Sequence, residues 1–421
     1  MKTTNKPKKY IIQLKDDSKS SLTKAAKELS LKITSSSELS SKVRAQDVLD
    51  SGNGLFLKNL GLAIVEDYEV EKLHHLTNAS SNPIIYWEKE RKFKPVTELD
   101  LLDEMKININ NMSEKIAQLK ELIEANNRLN INKNLTWGLN AVGIELSNYT
   151  GKGIDIAILD TGFYKDHPDF VGRNISGKSF VPGEKWYLDG HGHGTHCTGT
   201  AAGSISLVDN KRYGVAHEAN IVIGKVLSDS GSGSTSGIID AIDNSLEKGH
   251  NIISMSLGSS VKIGEKPSPI FEQVGRKALE KNTLIIAAAG NDSNRPSLPK
   301  PVSSPANAES IMAVAALDEA LKVANFSNGG INASNGGRVD ISAPGVDIFS
   351  SYSKNGSQNK LYTTMSGTSM ATPHVAGIAA LYWEAFPNLS AEGIWLKLEK
   401  RAKQLSNQLY RDIGQGIIQT I

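Results

Sequence analysis

The chain has little of what extracellular and membrane proteins commonly rely on. It holds one cysteine, Cys197, in 421 residues, so no disulfide can close within it and a packed core, with or without bound ions, must carry stability. No apolar run approaches the roughly 20 residues that cross a bilayer, so no membrane span is expected. Charge of one sign is also lacking. Forty-seven Lys and Arg against 45 Asp and Glu leave a net +2, which gives no reason to expect nucleic acid or an anionic membrane as a partner. Lys2, Lys6, Lys8 and Lys9 look like the basic start of a secretion signal, but only Tyr10-Ile11-Ile12 follows before Gln13. Such a signal needs about 7–15 apolar residues. A cytoplasmic location is therefore the expectation, export by another route aside.

The length exceeds that of an ordinary single domain and predicts two or three units. Residues 1–95 read as a small α+β unit: strand 10–14, helix 20–29, strands 54–58 and 62–65, helix 66–76 and a last strand at 84–87. That order, β-α-β-β-α-β, is the split ferredoxin-like arrangement, with the Ser-rich stretch 34–41 as an insert. In the connector, 96–134, Met105, Ile109, Met112, Ile116, Leu119 and Ile123 fall on one face of a helix over 98–127. Fewer than four heptads favour a helix packed on a neighbouring domain over a coiled coil. An Asn- and Lys-rich linker, 126–134, follows. From 135 to 421 apolar strands at 154–159, 221–227, 252–257, 284–289 and 311–316 alternate with helices at 193–203, 236–248, 268–280, 372–385 and 390–404. Continuous Val/Ile/Leu/Ala runs imply strands buried on both faces, hence an α/β fold with a mostly parallel, doubly wound sheet flanked by helices. Functional groups in such sheets gather at the carboxyl ends of strands.

Three segments stand at such ends or at helix starts: Asp160-Thr161-Gly162, His193-Gly194-Thr195-His196, and Gly367-Thr368-Ser369-Met370-Ala371-Thr372-Pro373. Each alone passes for a strand end or a helix cap. Together they supply a nucleophile, a general base and a carboxylate, in one of several chain orders by which a Ser-His-Asp triad is built. Ser369 is a weak nucleophile until a histidine takes its proton, and an aspartate fixes that histidine's tautomer and stabilises its cation. The helix after Ser369 favours developing negative charge at its start, with Pro373 expected in its first turn, where a missing N–H costs nothing. His191, His193 and His196 lie too close together for an HExxH zinc helix and lack its acid; the glycines at 190, 192 and 194 point instead to a tight backbone approach. Asn291, closing Ala287-Ala288-Ala289-Gly290-Asn291, could donate its amide to the oxyanion of a tetrahedral intermediate beside the Ser369 N–H.

These motifs, with Gly290-Asn291 and the Gly414-Gln415-Gly416 ending, resemble the subtilisin-like serine proteases, the subtilase family (peptidase S8), over most of 135–421. The resemblance implies a serine endopeptidase working through an acyl-enzyme, with Asp160, His193 and Ser369 as triad and Asn291 as oxyanion donor. A histidine at 193 argues against the sedolisins, which use a glutamate. It further implies a peptide cleft between Ser232-Gly233-Ser234 and Ser256-Leu257-Gly258, where substrate adds as a strand. Ala288, Ala289 and Gly290 would line S1, the pocket for the residue before the cut bond, with Asp292 near its rim. Thr235 and Ile238 would shape S4, three residues further back.

Cys197 stands where a thiol-containing branch of the family has its cysteine; a small buried residue beneath His193 is the expected role, open to mercurials. No organic cofactor is implied. Calcium is a frequent ligand in the family, and Asp169 in His167-Pro168-Asp169 matches one ligand position, although the loop 202–213 departs from the common binding loop. The first unit resembles subtilase propeptides, which chaperone folding and then inhibit. The partners implied are thus a peptide or protein substrate and the chain's own N-terminal unit, in a zymogen. Two cellular roles fit: general intracellular proteolysis, or a leader peptidase for a bacterial ribosomally made peptide. A rival from another class, a silent pseudoprotease that grips peptides, is disfavoured by the complete triad.

Overall fold

The computed structural model describes residues 9–16, 18–29, 31–38, 48–49, 54–66, 73, 77, 83–95 and 132–421. The helices expected at 66–76 and 98–127 fall, nearly or wholly, outside the described residues, as does the connector up to residue 131.

The N-terminal unit contains β1 (Lys9–Leu14), α1 (Lys19–Leu29), β2 (Ile33–Ser35), β3 (Gly54–Leu57), β4 (Leu62–Glu66), β5 (Ile84–Lys89) and, past a turn, β6 (Lys92–Pro95). Its sheet runs β2-β3-β4-β1-β5. Apart from β2, that is the strand order of the ferredoxin-like arrangement, with β1 antiparallel to both β4 and β5. The Ser-rich stretch opens as strand rather than insert, because Ile33–Ser35 pairs in parallel with β3.

Period-two alternation sends the sheet's side chains into two different cores. Tyr10, Ile12, Phe56, Ala63 and Val65 face α1 with Ala25 and Leu29. Ile11, Leu55, Leu57, Leu62 and Ile64 join a cluster belonging largely to the second unit, which includes Ile242, Phe271 and Val274. Each such side chain taken fully out of water is worth about 1.5–3 kcal/mol, so the two units share a continuous apolar contact.

The second unit is built on a seven-stranded sheet ordered β15-β14-β13-β11-β7-β9-β8, every pair of it parallel. The strands are β7 (Asp155–Asp160), β8 (Ile175–Ser179), β9 (Asn220–Lys225), β11 (Ile252–Met255), β13 (Leu284–Ala288), β14 (Met312–Leu317) and β15 (Ile341–Pro344). Two-residue strands β10 (Gly233–Ser234) and β12 (Leu257–Gly258), and a hairpin of β16 (Ile348–Ser351) and β17 (Tyr362–Met365), lie outside it.

Helices cover both faces: α2 (His193–Ala202) and α5 (Thr368–Ala385) on one, α3 (Thr235–Lys248) and α4 (Pro269–Glu280) on the other, with α6 (Ala391–Arg401) beyond α5. Alternation along β7 divides Ile156 and Ile158 from Ala157 and Leu159 between these two layers. In α5 every residue from Thr368 to Trp383 is buried, as a helix apolar on all sides must be.

The edge strands β8 and β15 escape a reading of apolar runs for a plain reason. Ile-Ser-Gly-Lys-Ser and Ile-Ser-Ala-Pro have no such run.

Candidate active site

Asp160 ends β7, the strand on which the sheet's order reverses, with β9 on one side and β11 on the other. Sites in open parallel sheets form beyond the carboxyl ends of strands at this reversal. His193 is the first residue of α2 and Ser369 the second of α5. The topology thus brings together residues 33 and 176 positions apart in the chain, all three fully buried.

The base and its carboxylate are paired. His193 Nδ1 donates to Asp160 Oδ1 at 2.7 Å, and the same oxygen accepts the Thr161 N–H at 2.7 Å. With Nδ1 carrying the proton, Nε2 is left to accept one. Burial opposes a charge on His193, but the Asp160 carboxylate outweighs it and holds the imidazolium well above the ordinary histidine range. The two loops meet backbone to backbone: a Cβ on Gly194 would lie 2.1 Å from the Gly162 carbonyl oxygen. The tight approach expected at these glycines is therefore present. Among the described residues one group of ligand-type atoms converges, from Asp160, His193 and Cys197, and the first two are already bound to each other. His196 is occupied elsewhere, through Nε2 to the Ile348 carbonyl at 2.9 Å, and burial pushes it down to about 3.

Ser369 Oγ donates to the Ser256 carbonyl at 3.1 Å, not to His193. Catalytic hydrogen bonds are often unformed until substrate is seated. The helix that carries it begins earlier than its sequence suggests, at Thr368 rather than 372, so Pro373 is its sixth residue and not part of the first turn. A proline there deprives the carbonyl four residues back of its N–H donor. That carbonyl is Ser369's, and it accepts from Ser256 Oγ at 2.7 Å and Cys197 Sγ at 3.6 Å. Burial pushes the Cys197 thiol up, which keeps it a neutral donor.

Asn291 has its amide oriented by its own oxygen. Oδ1 accepts from the Thr368 N–H at 3.0 Å and the Thr368 hydroxyl at 2.9 Å. Nδ2 is left buried with no partner among the described residues. An unspent donor beside the nucleophile's helix start suits an oxyanion. Gly290 N–H donates to the same Thr368 hydroxyl at 3.1 Å, which ties the buried Ala288-Ala289-Gly290 wall to Ser369.

The two segments expected to edge a peptide cleft are bridged by the chain itself. β6 lies antiparallel to both: Phe93 opposite Gly233 and Lys92 opposite Ser234, Lys94 opposite Gly258 and Pro95 opposite Leu257. Phe93 is fully buried in the cluster that contains Leu227, Ile238, Leu257 and Phe271, its ring edge-on to Phe271 at 5.6 Å. Thr235 meets the strand's approach, accepting the Arg91 N–H at 2.8 Å and donating to the Arg91 carbonyl at 3.2 Å. Acids of the N-terminal unit meet two helix starts: Glu90 accepts from the Ser236 N–H at 3.1 Å and from its hydroxyl, and Glu88 accepts from the α4 cap Ser268 at 2.7 Å. Side-chain acceptors are stabilising at both helix starts.

Asp189 and Lys225, with its partner Asp229, were not singled out from the sequence. Asp189, fully buried, accepts from Thr161 Oγ1, the His191, Gly192 and Thr195 N–H groups and Thr195 Oγ1, all at 2.7–3.1 Å. It therefore locks the start of α2 to the residue after Asp160. Lys225, also fully buried, donates to the Thr161 carbonyl and to Asp229, which accepts the Gly190 N–H at 2.9 Å. An acid just before a Gly-rich helix start was the one available signal for Asp189.

Asp292 is exposed, and its oxygens accept from Ser260 at 2.9 Å and Asn328 at 3.1 Å; solvent and salt screen the charge of such an exposed group. Asp169 does not fit a calcium ligand: both its carboxylate oxygens accept tyrosine hydroxyls.

Comparison with known proteins agrees with this geometry. The subtilase family model matches residues 151–416. The chain is 36% identical over 277 residues to Subtilisin DY of Bacillus licheniformis, covering 65% of this chain and 92% of that protein. It is 33% identical over 363 residues to the Thermostable alkaline protease of Halalkalibacterium halodurans, covering 85% and 86%. Among solved structures it is similar to Sphericase, with a TM-score of 0.58 and 33% identity over 68% of this chain and 99% of that one.

Proposed function

The chain belongs to the subtilase family and is a serine endopeptidase, and from that premise we propose that it is made as a zymogen inhibited by its own N-terminal unit. The observation that carries the reading is β6, seated as a third strand between β10 and β12. A substrate of such an enzyme binds by adding a strand to the same edges.

In the proposed reaction His193 Nε2 takes the proton of Ser369 as the hydroxyl attacks the peptide carbonyl, with Asp160 stabilising the imidazolium. The Asn291 amide and the Ser369 N–H receive the oxyanion. His193 then protonates the leaving amine, and water repeats the sequence to release the acyl group. Attack requires Ser369 Oγ to leave the Ser256 carbonyl for His193.

Strand register also supports a preference. With Phe93 filling the apolar pocket, the residue three before the one at the cut is aromatic, and proline is accepted next to the cut residue. Counted along the chain, the first self-cut is the bond between residues 96 and 97, and trimming near 124–136 follows to remove the connector. Expressed alone, Ser369→Ala should stay at full length while the wild type yields a new N-terminus at Thr97, read by mass spectrometry. An active, uncut 421-residue protein would refute obligatory processing.

An intracellular place of action is part of the proposal, on the sequence expectation given above, and cell fractionation tests it. The buried aromatic subsite favours selective cutting, as of a leader peptide, over general turnover. A profile of new N-termini in cells separates the two: one dominant Phe-x-Pro-x motif supports the first, many unrelated sites the second.

A further inference from the structure

Asp169 follows β7 in His167-Pro168-Asp169, and its side chain is wholly buried. Oδ2 accepts the Tyr213 hydroxyl at 2.6 Å and Oδ1 the Tyr362 hydroxyl at 2.8 Å. The Tyr362 oxygen is itself filled, accepting the Leu207 N–H at 3.0 Å. Aromatic rings make the walls. Tyr362 stacks on Phe349 with centroids 5.5 Å apart and meets His167 edge-on at 5.3 Å, while Tyr213 is edge-on to Phe349 at 6.0 Å.

His167 supplies no charge. Its Nδ1 accepts the Asp169 N–H at 3.3 Å, so the proton sits on Nε2, which donates to the Leu361 carbonyl at 2.7 Å. Burial lowers this imidazole in keeping with that neutral form, so the 4.0 Å approach of Nδ1 to Asp169 is not an ion pair. Burial also pushes Tyr362 up to about 12 and Tyr213 well above the ordinary range, so both phenols remain donors.

Calcium takes six to eight oxygen ligands at about 2.3–2.6 Å. To reach Asp169 it would have to displace both hydroxyls and face rings. The carboxylate and amide side chains of the nearby loop, Asp209 and Asn210, are at its exposed tip, with Asp209 turned to the Lys211 N–H at 3.2 Å.

We infer that Asp169 with Tyr213 and Tyr362 forms a metal-free clamp, which fixes the 204–213 loop and the β16–β17 hairpin without a calcium ion. The clamp bears on the active site through that hairpin. Ile348 accepts from His196, and the Ser350 and Ser351 hydroxyls donate to the His196 and Thr195 carbonyls at 2.9 and 3.0 Å. The clamp thereby braces the helix whose first residue is His193.

The test is thermal unfolding in the Ser369→Ala background, which removes autolysis, with excess calcium or with a chelator. The expected result is the same midpoint in both. Tyr213→Phe and Tyr362→Phe should each lower that midpoint by about 3–8 °C, because a hydrogen bond to a buried charge is lost, again without calcium dependence. A calcium-induced rise that persists unchanged in both tyrosine variants and in Asp169→Asn belongs to an ion bound elsewhere and leaves the clamp standing. A rise that Asp169→Asn abolishes overturns it. Should that variant not fold, a calcium effect that changes in size with either Tyr→Phe variant overturns it equally, as do Tyr→Phe variants that unfold with the wild-type midpoint.

Discussion

The thiol of Cys197 donates to the carbonyl of Ser369 at 3.6 Å, and that carbonyl is free to accept because Pro373 cannot donate to it. The same sulfur lies 3.8 Å from His193 Nδ1 and 4.0 Å from Nε2. Cys197 thus touches His193 and the helix that carries Ser369 at once.

Cys197→Ala should therefore keep kcat within a few-fold of wild type, since Ser256 Oγ still satisfies the Ser369 carbonyl. Stability should fall by about 1 kcal/mol for the small cavity left. An organomercurial should inactivate the processed wild type and leave Cys197→Ala untouched. Equal inactivation of both would place the reactive group elsewhere.

Asn291→Ala tests the oxyanion assignment. Its Nδ2 makes no ground-state bond among the described residues, so its removal should spare substrate binding and cost turnover. The expectation is a loss of about 100- to 1,000-fold in kcat, the range measured for one such donor in subtilisin, a member of the same family, with KM nearly unchanged. A rise in KM at constant kcat would instead mark Asn291 as a binding residue.

Much of this site was legible because its chemistry is carried by residue type and local setting. Asp160, His193 and Ser369 each sit where an apolar run ends or a helix begins, and runs of Val, Ile and Ala declare a buried parallel sheet. What stayed hidden depends on contacts far apart in sequence. β6 has four residues and no core of its own, and it becomes a strand only because β10 and β12 stand on either side of it. Lys225 looks like the polar end of a strand until Thr161 and Asp229 enclose its ammonium. The clamp at Asp169 needs Tyr213 and Tyr362, 44 and 193 positions away, so an aspartate in a familiar motif read as a calcium ligand.

The rate should follow the protonation of His193. Asp160 raises its imidazolium pKa, so the active, neutral base is lost as pH falls through that raised value, and the acid limb of kcat/KM should lie on the alkaline side of an unperturbed histidine. Asp160→Asn removes the charge that raises it. The limb should shift to lower pH while kcat falls roughly 10,000-fold, as when the wrong tautomer is held. An unmoved limb would assign the titration to another group.

Release of the cut N-terminal unit should depend on pH through Glu88. Assembled, this carboxyl is buried against α4, and burial raises its pKa despite the Ser268 hydroxyl and nearby Arg91. Once released it returns to the ordinary glutamate value. The assembled form therefore binds more protons between those two values, so association is strongest below the lower one and weakens as pH rises to the upper. Size-exclusion chromatography of the self-cut protein should show the fragment retained at the lower pH and shed as the pH rises. Glu88→Gln, uncharged throughout, should retain it at both. Phe93→Ala should shed it at every pH, since the anchor in the apolar pocket is worth about 3–5 kcal/mol. If wild type and Glu88→Gln release the fragment with the same pH profile, Glu88 is not the group that sets it.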